Sequence, residues 1–281
     1  MSILEEIFTH KRQEVAQAIQ ALPLAEMRAE AARMAPAHDF IGALKNARKR
    51  NAFPALIAEI KAASPSRGVL VPDFNPLRLA QVYTANGATA VSVLTDQRYF
   101  KGSLDHLRQV RLQYAGLPLL RKDFIFDPYQ VYEARAAGAD AILLIVAGLE
   151  AVQLVELQTL ARRLGMAALV EVHTKEELET ALDCQANMIG INNRDLHTFR
   201  TSLQTTFRLL PIVPPGILVV AESGIHNPAD VGLLYQSGIG AILVGEALVT
   251  APDTAAKVRA FTGQATRPIT QAFPKNGFEE R

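Results

Sequence analysis

The chain has a single cysteine, Cys184, so no internal disulfide framework can hold it together, and one lone thiol suits a reducing compartment. Cys184 follows a helix-like stretch with no base near it in sequence, which reads as a packed or idle thiol and not as a nucleophile. Charge of one sign is equally scarce. Lys plus Arg number 29 and Asp plus Glu 28, and the formal net charge of +1 gives no electrostatic footing for nucleic acid or an anionic membrane. No apolar run approaches the ~20 residues of a membrane span. The six histidines show no metal-ligand spacing, so no metal is expected. The amphipathic start MSILEEIFTHKRQEVAQ carries acids early, unlike a signal or transit peptide, and cytoplasm is the expected location.

What the chain does have is length and periodicity. Its 281 residues, 49% of them hydrophobic, can bury one large core, and a barrel domain of about 250 residues fits that length. From Pro54 onward, short β-branched or Leu-rich runs alternate with longer helical patterns. Strands are read near 55–61, 90–94, 118–122, 141–146, 167–171, 188–192, 217–221 and 241–244, and helices over 76–86, 104–114, 128–137, 149–164, 175–182 and 228–236. Such alternation argues for repeated βαβ units and a parallel sheet. Gly87, Gly138, Gly165 and Gly238 stand where helix ends want a left-handed residue, and Pro76, Pro128 and Pro228 stand in first turns. An open doubly wound sheet would use the same elements, but SPSRG follows the first strand where a dinucleotide-binding turn would place its glycines. The expected fold is an α/β single (β/α)8 barrel over 51–263. Residues 1–50, with a helix over 4–20, an alanine-rich segment and a helical stretch over 38–49, are too short for a core of their own and read as an N-terminal helical extension of the barrel. Residues 264–281 mix Pro, polar and charged side chains and are expected to form a flexible tail.

Polar side chains close the apolar runs. Glu59 and Lys61 end ALIAEIK, Lys122 ends LPLLRK, Glu171 ends AALVE, Asn192 and Arg194 end MIGINNR, and Glu222 ends ILVVAE. Charge at the end of a buried strand is costly unless something uses it, and a parallel barrel points every such end at one mouth. Because side chains alternate along a strand, Glu59 and Lys61 share a face, as do Asn192 and Arg194, and as do Leu120, Lys122 and Phe124. Three acids then meet three bases, a set able to donate protons, accept them and hold an anion. Taken singly, each charge is as well explained by a solvated strand end or a structural ion pair; their shared register at one end of the fold is what favours a site. Gly224 in AESGI and Gly245 in LVGEAL follow the seventh and eighth strands, the second opening a short helix. Bare N–H groups there make the phosphate seat common in barrel enzymes, although each alone is only a turn glycine. Glu246 is an awkward neighbour for phosphate, and serves through its backbone N–H if its carboxylate turns away. SPSRG over 64–68 reads as a polar loop able to close over a ligand. Ser64 and Ser66 have no histidine base to make them nucleophiles, and His173 reads as a surface or supporting residue.

In order and spacing, AEIKAASPSRG, LLRKDFIFDPYQ, LVEVHT, IGINNRDL, VAESGI and LVGEAL closely resemble indole-3-glycerol phosphate synthase; ILEEIFTHKRQEV is similar to that family's leading helix and LTDQRYFKGSLDHL to its segment after the second strand. The resemblance covers about residues 1–262, and no isomerase domain of the kind fused to this enzyme in some organisms follows, so a monofunctional enzyme is expected. It implies a step of tryptophan biosynthesis, in which 1-(2-carboxyphenylamino)-1-deoxyribulose 5-phosphate becomes indole-3-glycerol phosphate, carbon dioxide and water. By the family's pattern Lys122 is the general acid at the ketone oxygen. Glu171 moves protons during dehydration with Glu59 assisting, and Lys61 binds anionic groups and the phosphate or joins the dehydration, a division left open. Asn192 and Arg194 orient the ribulose chain and carboxylate, Ser64, Glu222 and Ser223 line the mouth, and Gly224, Gly245 and Glu246 hold phosphate, although the family often has Ser where Glu246 stands. Phe100 and Phe124 sandwich the anthranilate ring. No cofactor is expected, because ring attack leaves an iminium that serves as the electron sink for decarboxylation. The apolar wall beside Lys122 is expected to lower its pKa, with Glu59 opposing. The implied partner is a small phosphorylated substrate, and the expected state is a monomer or a weak dimer. Two rivals stand beside this: another phosphate-binding barrel such as phosphoribosylanthranilate isomerase, and a non-catalytic barrel that binds phosphorylated ligands.

Overall fold

The computed structural model, which describes residues 3–195 and 198–264, opens with three helices, α1 (Ile3–Ala21), α2 (Leu24–Arg33) and α3 (Phe40–Arg50). Strands β1 (Ala55–Ile60), β4 (Ala90–Leu94), β5 (Leu119–Lys122), β6 (Ala141–Ile145), β7 (Ala167–Val172), β8 (Met188–Asn192), β9 (Leu218–Glu222) and β10 (Ala241–Val244) follow, with β2 (Ala63–Ser64) and β3 (Gly68–Val69) forming a small separate hairpin after β1. The eight longer strands close into a parallel barrel, β1 pairing with both β4 and β10. Helices α4 (Pro76–Ala85), α5 (Leu104–Gln113), α6 (Pro128–Ala136), α7 (Ala151–Arg163), α8 (Lys175–Asp183), α9 (Gln204–Leu209), α10 (Pro228–Gln236), α11 (Glu246–Val249) and α12 (Thr254–Thr262) complete it. The (β/α)8 barrel expected from the alternating pattern is the observed fold.

Local chemistry explains why the elements begin and end where they do. Asn75, Asp127 and Asn227 cap α4, α6 and α10 by accepting from backbone N–H groups one turn on, and each precedes a proline that cannot donate and has no need to. Gly87, Gly138, Gly165 and Gly238 all carry positive φ past their helix ends, the conformation predicted for them. Two short helices escape the periodicity. In α9 the two threonines of QTTFRL and the proline that follows mask the helical signal, while α12 sits in a stretch read only as the end of the barrel. The alanine-rich segment of the extension forms α2, and the 64–68 loop is the turn of the β2–β3 hairpin.

Strand alternation sorts the core into two layers. Ala55, Ile57, Leu120, Leu143, Leu169, Met188, Val220 and Leu243 fill the barrel lumen, and their neighbours Leu56, Ala58, Val91, Ile142, Val170 and Ala221 face the helices. The N-terminal extension closes both ends of this lumen. At the end where strands begin, Phe40, Leu44 and Ala47 of α3 join the inner cluster, and Lys45 and Arg48 donate to the carbonyls of Gly216 and Ile239 just before β9 and β10. At the opposite end, Leu4, Ile7 and Phe8 of α1 pack against Phe124 and Ile145. The tail expected over 264–281 lies, apart from Gln264, outside the described residues.

An ion network fixes α1 in that place. Lys11, 4% exposed, sets its ammonium 2.8 Å from Asp96 and 3.1 Å from Asp123. Asp123 also takes Arg121 at 3.0 Å and the Thr95 hydroxyl at 2.6 Å. Burial works against charge on Asp123, but Arg121 and Lys11 outweigh it and hold the carboxyl down to about 2. Arg121 and Asp123 flank Lys122, so one strand turns alternate charges outward to the helices and inward to the mouth. Removing one partner of a buried pair leaves the others uncompensated, at a cost of about 3–5 kcal/mol. Lys11→Met is therefore expected to lower the unfolding free energy by about that amount in urea titration; a loss under about 1 kcal/mol would show that the network does not anchor the helix.

Candidate active site

On five of the eight barrel strands the inner face ends in a polar side chain at the α1 end of the lumen. Glu59, Lys122, Glu171, Asn192 and Glu222 occupy this layer, and the cleft above them is also lined by Lys61, Ser64, Phe100, Phe124, Arg194, Ser223, Gly224, Gly245 and Glu246. Every residue predicted for the site is thus brought to one mouth. Register explains the convergence: Asn192 lies opposite Glu222, Glu171 opposite Gly190, and Glu222 opposite Leu243 across the ladder.

Lys122 is the hub. Its Nζ donates to Oε2 of Glu171 at 3.1 Å and lies 3.5 Å from Oε2 of Glu222. Glu171 takes a second bond on Oε1 from the Asn192 amide at 3.1 Å. Glu59 pairs with Lys61 at 2.8 Å, and the Lys61 ammonium stands 5.6 Å above the Phe100 ring. Burial pulls the Lys122 pKa down, as the apolar wall suggested, but Glu171, Glu222 and Glu59 together outweigh it and the net shift is upward. The expectation of a lowered pKa is overturned, since three carboxylates face this ammonium and not Glu59 alone. The two glutamates part company. Burial would raise Glu171, yet Lys122, His173 and the Asn192 amide bring it down to about 2. Glu222 is raised by burial and, against the pull of Lys122, by Glu171 and Glu59, to about 8, which favours its protonated form at neutral pH. Groups pushed apart in this way mark acid and base functions.

Glycines make room for these carboxylates. A methyl at Gly245 would sit 2.3 Å from Oε1 of Glu59, and one at Gly190 would sit 2.1 Å from Oε1 of Glu222. Gly245, predicted only as part of an anion seat, is thus also required by Glu59. Gly190 was missed, although a glycine inside a strand is the usual sign of close approach. Ser223 and Gly224 both have positive φ, 60° and 71°, and the serine carries the strain that such backbone imposes on a side-chain-bearing residue.

The rim differs in detail from the expected picture. Phe100 and Phe124 stand with centroids 6.0 Å apart and planes tilted by 35°, in contact with each other. A flat ring between them would need about 7 Å, two stacking gaps of ~3.5 Å, so they form one wall instead of two jaws. The Glu246 carboxylate does turn away from its own helix start: it accepts from Arg67 of the β2–β3 turn at 2.7 Å and lies 3.5 Å from Arg194. Ser64 is buried with its hydroxyl 3.5 Å from that of Ser66. Ile3, Leu4 and Ile7 of α1 and Phe199 also line the cleft, and none of these was singled out from the sequence. His173, 10% exposed, sets its Nε2 3.4 Å from Oε1 of Glu171. Parity could have placed it, because 169, 171 and 173 share a face. Among the described residues, no group of three or more His, Cys, Asp or Glu is arranged to hold a metal ion, and no helix is long and apolar enough to cross a membrane.

A barrel whose strand ends carry a buried lysine between two unlike glutamates, with cations and peptide N–H groups on the rim, is an acid–base enzyme for a small anionic substrate. The sequence profile of indole-3-glycerol phosphate synthase matches residues 4–261. Proteins of that name from Roseiflexus sp. strain RS-1 and Azoarcus sp. strain BH72 are 53% and 51% identical to the chain; the alignments cover 93% of the chain in both cases and 98% and 99% of those proteins. The one from Acidithiobacillus ferrooxidans strain ATCC 53993 is 51% identical over 88% of the chain and 93% of its own length. Among solved structures, 3-hexulose-6-phosphate synthase from Salmonella typhimurium superposes with a TM-score of 0.60 at 14% identity over 74% of the chain and 97% of its own length, a likeness of fold. The chain belongs to the indole-3-glycerol phosphate synthase family, which decides against the isomerase as its closer kin.

The raised pKa of Glu222 has a cost that can be measured. A carboxyl that ionises near 4.5 in the unfolded chain but only at about 8 in the folded one makes folding take up a proton in between, so stability falls by about 1.4 kcal/mol per pH unit across that window. Glu222→Gln removes the cost. Its unfolding free energy, relative to the unchanged chain, is expected to rise between pH 5 and pH 8 in urea titrations, and a flat or falling difference would place an ionised Glu222 in the fold.

Proposed function

We propose that this barrel converts 1-(2-carboxyphenylamino)-1-deoxyribulose 5-phosphate to indole-3-glycerol phosphate, carbon dioxide and water. The observation that carries the assignment of roles is the Lys122 ammonium held between Glu171, driven down, and Glu222, driven up, in a cleft also lined by Phe100, Phe124, Lys61 and Arg194. The anthranilate ring lies against the Phe100–Phe124 wall with Ile3, Leu4 and Ile7 near it, and the ribulose phosphate reaches toward Gly224, Gly245 and the backbone of Glu246, with Lys61 near the phosphate. Ser64, Ser223 and Asn192 position the chain between. Arg194 and Lys61 meet the anionic groups.

Lys122 protonates the ketone oxygen as the ring carbon attacks it. The iminium so formed draws the electrons of the departing carboxylate, and the ring carboxyl leaves as carbon dioxide. Loss of the hydroxyl then needs an acid and a base. Glu222 replenishes Lys122 at 3.5 Å, Lys122 protonates the hydroxyl, which leaves as water, and Glu171 takes the proton lost from carbon, with Glu59 supporting it across the mouth. Positioning of the two anionic ends contributes up to about 7–11 kcal/mol of barrier reduction. Each acid or base adds about 10²–10⁴-fold. The single free thiol and the near-neutral charge support a cytoplasmic site of action on a soluble phosphorylated substrate.

The chain contains no tryptophan, so indole fluorescence appearing on turnover is read without a tryptophan background from the protein. Lys122→Ala is expected to lose at least ~10²-fold in kcat, the lower bound for an acid–base group, while a phosphorylated substrate analogue binds within several-fold of the unchanged chain by calorimetry. Undiminished turnover would remove Lys122 from its role, and ligand binding without any product from the unchanged chain would favour a non-catalytic barrel.

A further inference from the structure

The proposed reaction has a charge balance that the site must meet. The substrate carboxylate leaves as neutral carbon dioxide, so each turnover consumes one proton beyond those the acids and bases exchange among themselves. Glu171 and Glu222, at 3% and 2% exposure, have almost no direct access to water. A route for that proton therefore has to reach them.

Behind Glu171, away from the substrate cleft, lies a histidine the mechanism does not use. His173 presents Nε2 to Oε1 of Glu171 at 3.4 Å, an ion-pair distance, and this buried nitrogen makes no hydrogen bond. The other ring nitrogen, Nδ1, lies 3.2 Å from Oε2 of Glu177, which also accepts from the His173 backbone N–H at 2.7 Å. Glu177 stands in the first turn of α8 and is one-fifth exposed. A continuous row of groups thus leads from the surface to the hub: Glu177, His173, Glu171, Lys122. Two carboxylates from different elements clamp the ring, and one nitrogen is left aimed at the base with nothing else to bind.

We propose that His173, oriented by Glu177, is a positioning residue that returns to Glu171 the proton consumed in each turnover. The inference rests on the reaction assigned above. After Lys122 has given its proton to the ketone oxygen, the ammonium that held Glu171 ionised is gone and the carboxylate becomes more basic. The proton on Nε2 passes to Oε1 of Glu171, a proton on Glu171 passes from Oε2 to the neutral Lys122 amine at 3.1 Å, and Lys122 returns one to Glu222, which had replenished it, at 3.5 Å. The imidazole keeps its Nδ1 proton on Glu177 and regains the other from bulk water or a buffer acid. Burial acts against a charged ring, but Glu177, Glu171 and Glu222, the carboxylates that face it from α8, β7 and β9, outweigh burial and raise its pKa. The ring is therefore charged at lower pH and loses its proton, and its capacity to deliver one, as pH rises through that raised value.

The test compares His173→Gln and Glu177→Gln with the unchanged full chain by indole fluorescence, over pH 6 to 9 and with increasing imidazole buffer. In His173→Gln, kcat is expected to fall about 10-fold, below the ~10²-fold of a direct acid, with KM within twofold. Added imidazole is expected to restore most of the loss, and the alkaline limb of the kcat profile to move. Glu177→Gln keeps the shape and removes the charge; it is expected to shift that limb toward lower pH. A loss that is equal at every pH and insensitive to imidazole, or no loss in a chain that makes product, overturns the inference. Absence of product from the unchanged chain would instead refute the assigned reaction.

Discussion

The ammonium of Lys122 is the charge on which the top of the barrel depends. Three glutamates enter the lumen from β1, β7 and β9, and an apolar barrel cannot hold three carboxylates without a counter-charge. Lys122 meets two of them directly and raises no charge of its own elsewhere, because its neighbours on the strand, Arg121 and Asp123, face the other way. The carboxylates respond unequally. Glu171 has the nearer ammonium contact and an amide, and is driven down; Glu222 has one longer contact and an unpartnered oxygen, and is driven up. One cation placed off-centre, with the Asn192 amide and His173 on one side only, drives identical side chains in opposite directions.

The same alternation gives the N-terminal helices their work. Outward charges on β5 reach Lys11 of α1, inward ones reach the reacting layer, and α1 also contributes apolar wall to the cleft. The extension is therefore part of the site at one end and a plug at the other, where α3 fills the lumen beneath Ala55 and Ala90. Residues 3–50 bury their apolar faces against the barrel, Leu4, Ile7, Phe8, Phe40 and Leu44 in the lumen cluster and Val15 and Met27 against Tyr129 of α6.

Much of this was legible in the sequence, for reasons that can be traced to particular residues. Short β-branched or Leu-rich runs alternating with helical patterns placed the eight barrel strands, and two-residue alternation gave the parity of the polar side chains that close them, because a buried strand leaves side chains only two directions. Pro76, Pro128 and Pro228 marked helix starts for equally local causes. What escaped depends on distances across the chain. The sign of the Lys122 shift is a sum over carboxylates from three strands, and the spacing of Phe100 from Phe124 depends on how α1 packs on both. The second purpose of Gly245 appears only when Glu59 is seen against it. Helix α9 stayed hidden because its anchor is the buried Thr206 hydroxyl on Asn193, a bond between loop and helix that no periodicity encodes.

The clasp between Glu246 and the two arginines bears on how an anion enters. Arg67 and Arg194 are already satisfied by an acidic tenant, so a ligand phosphate arriving there exchanges one negative partner for another. Recruitment then reflects a difference between two attractions of like kind, and dissolved ions weaken both sides of the exchange alike. Arg67 belongs to the hairpin turn, so the same clasp ties that turn to the start of α11.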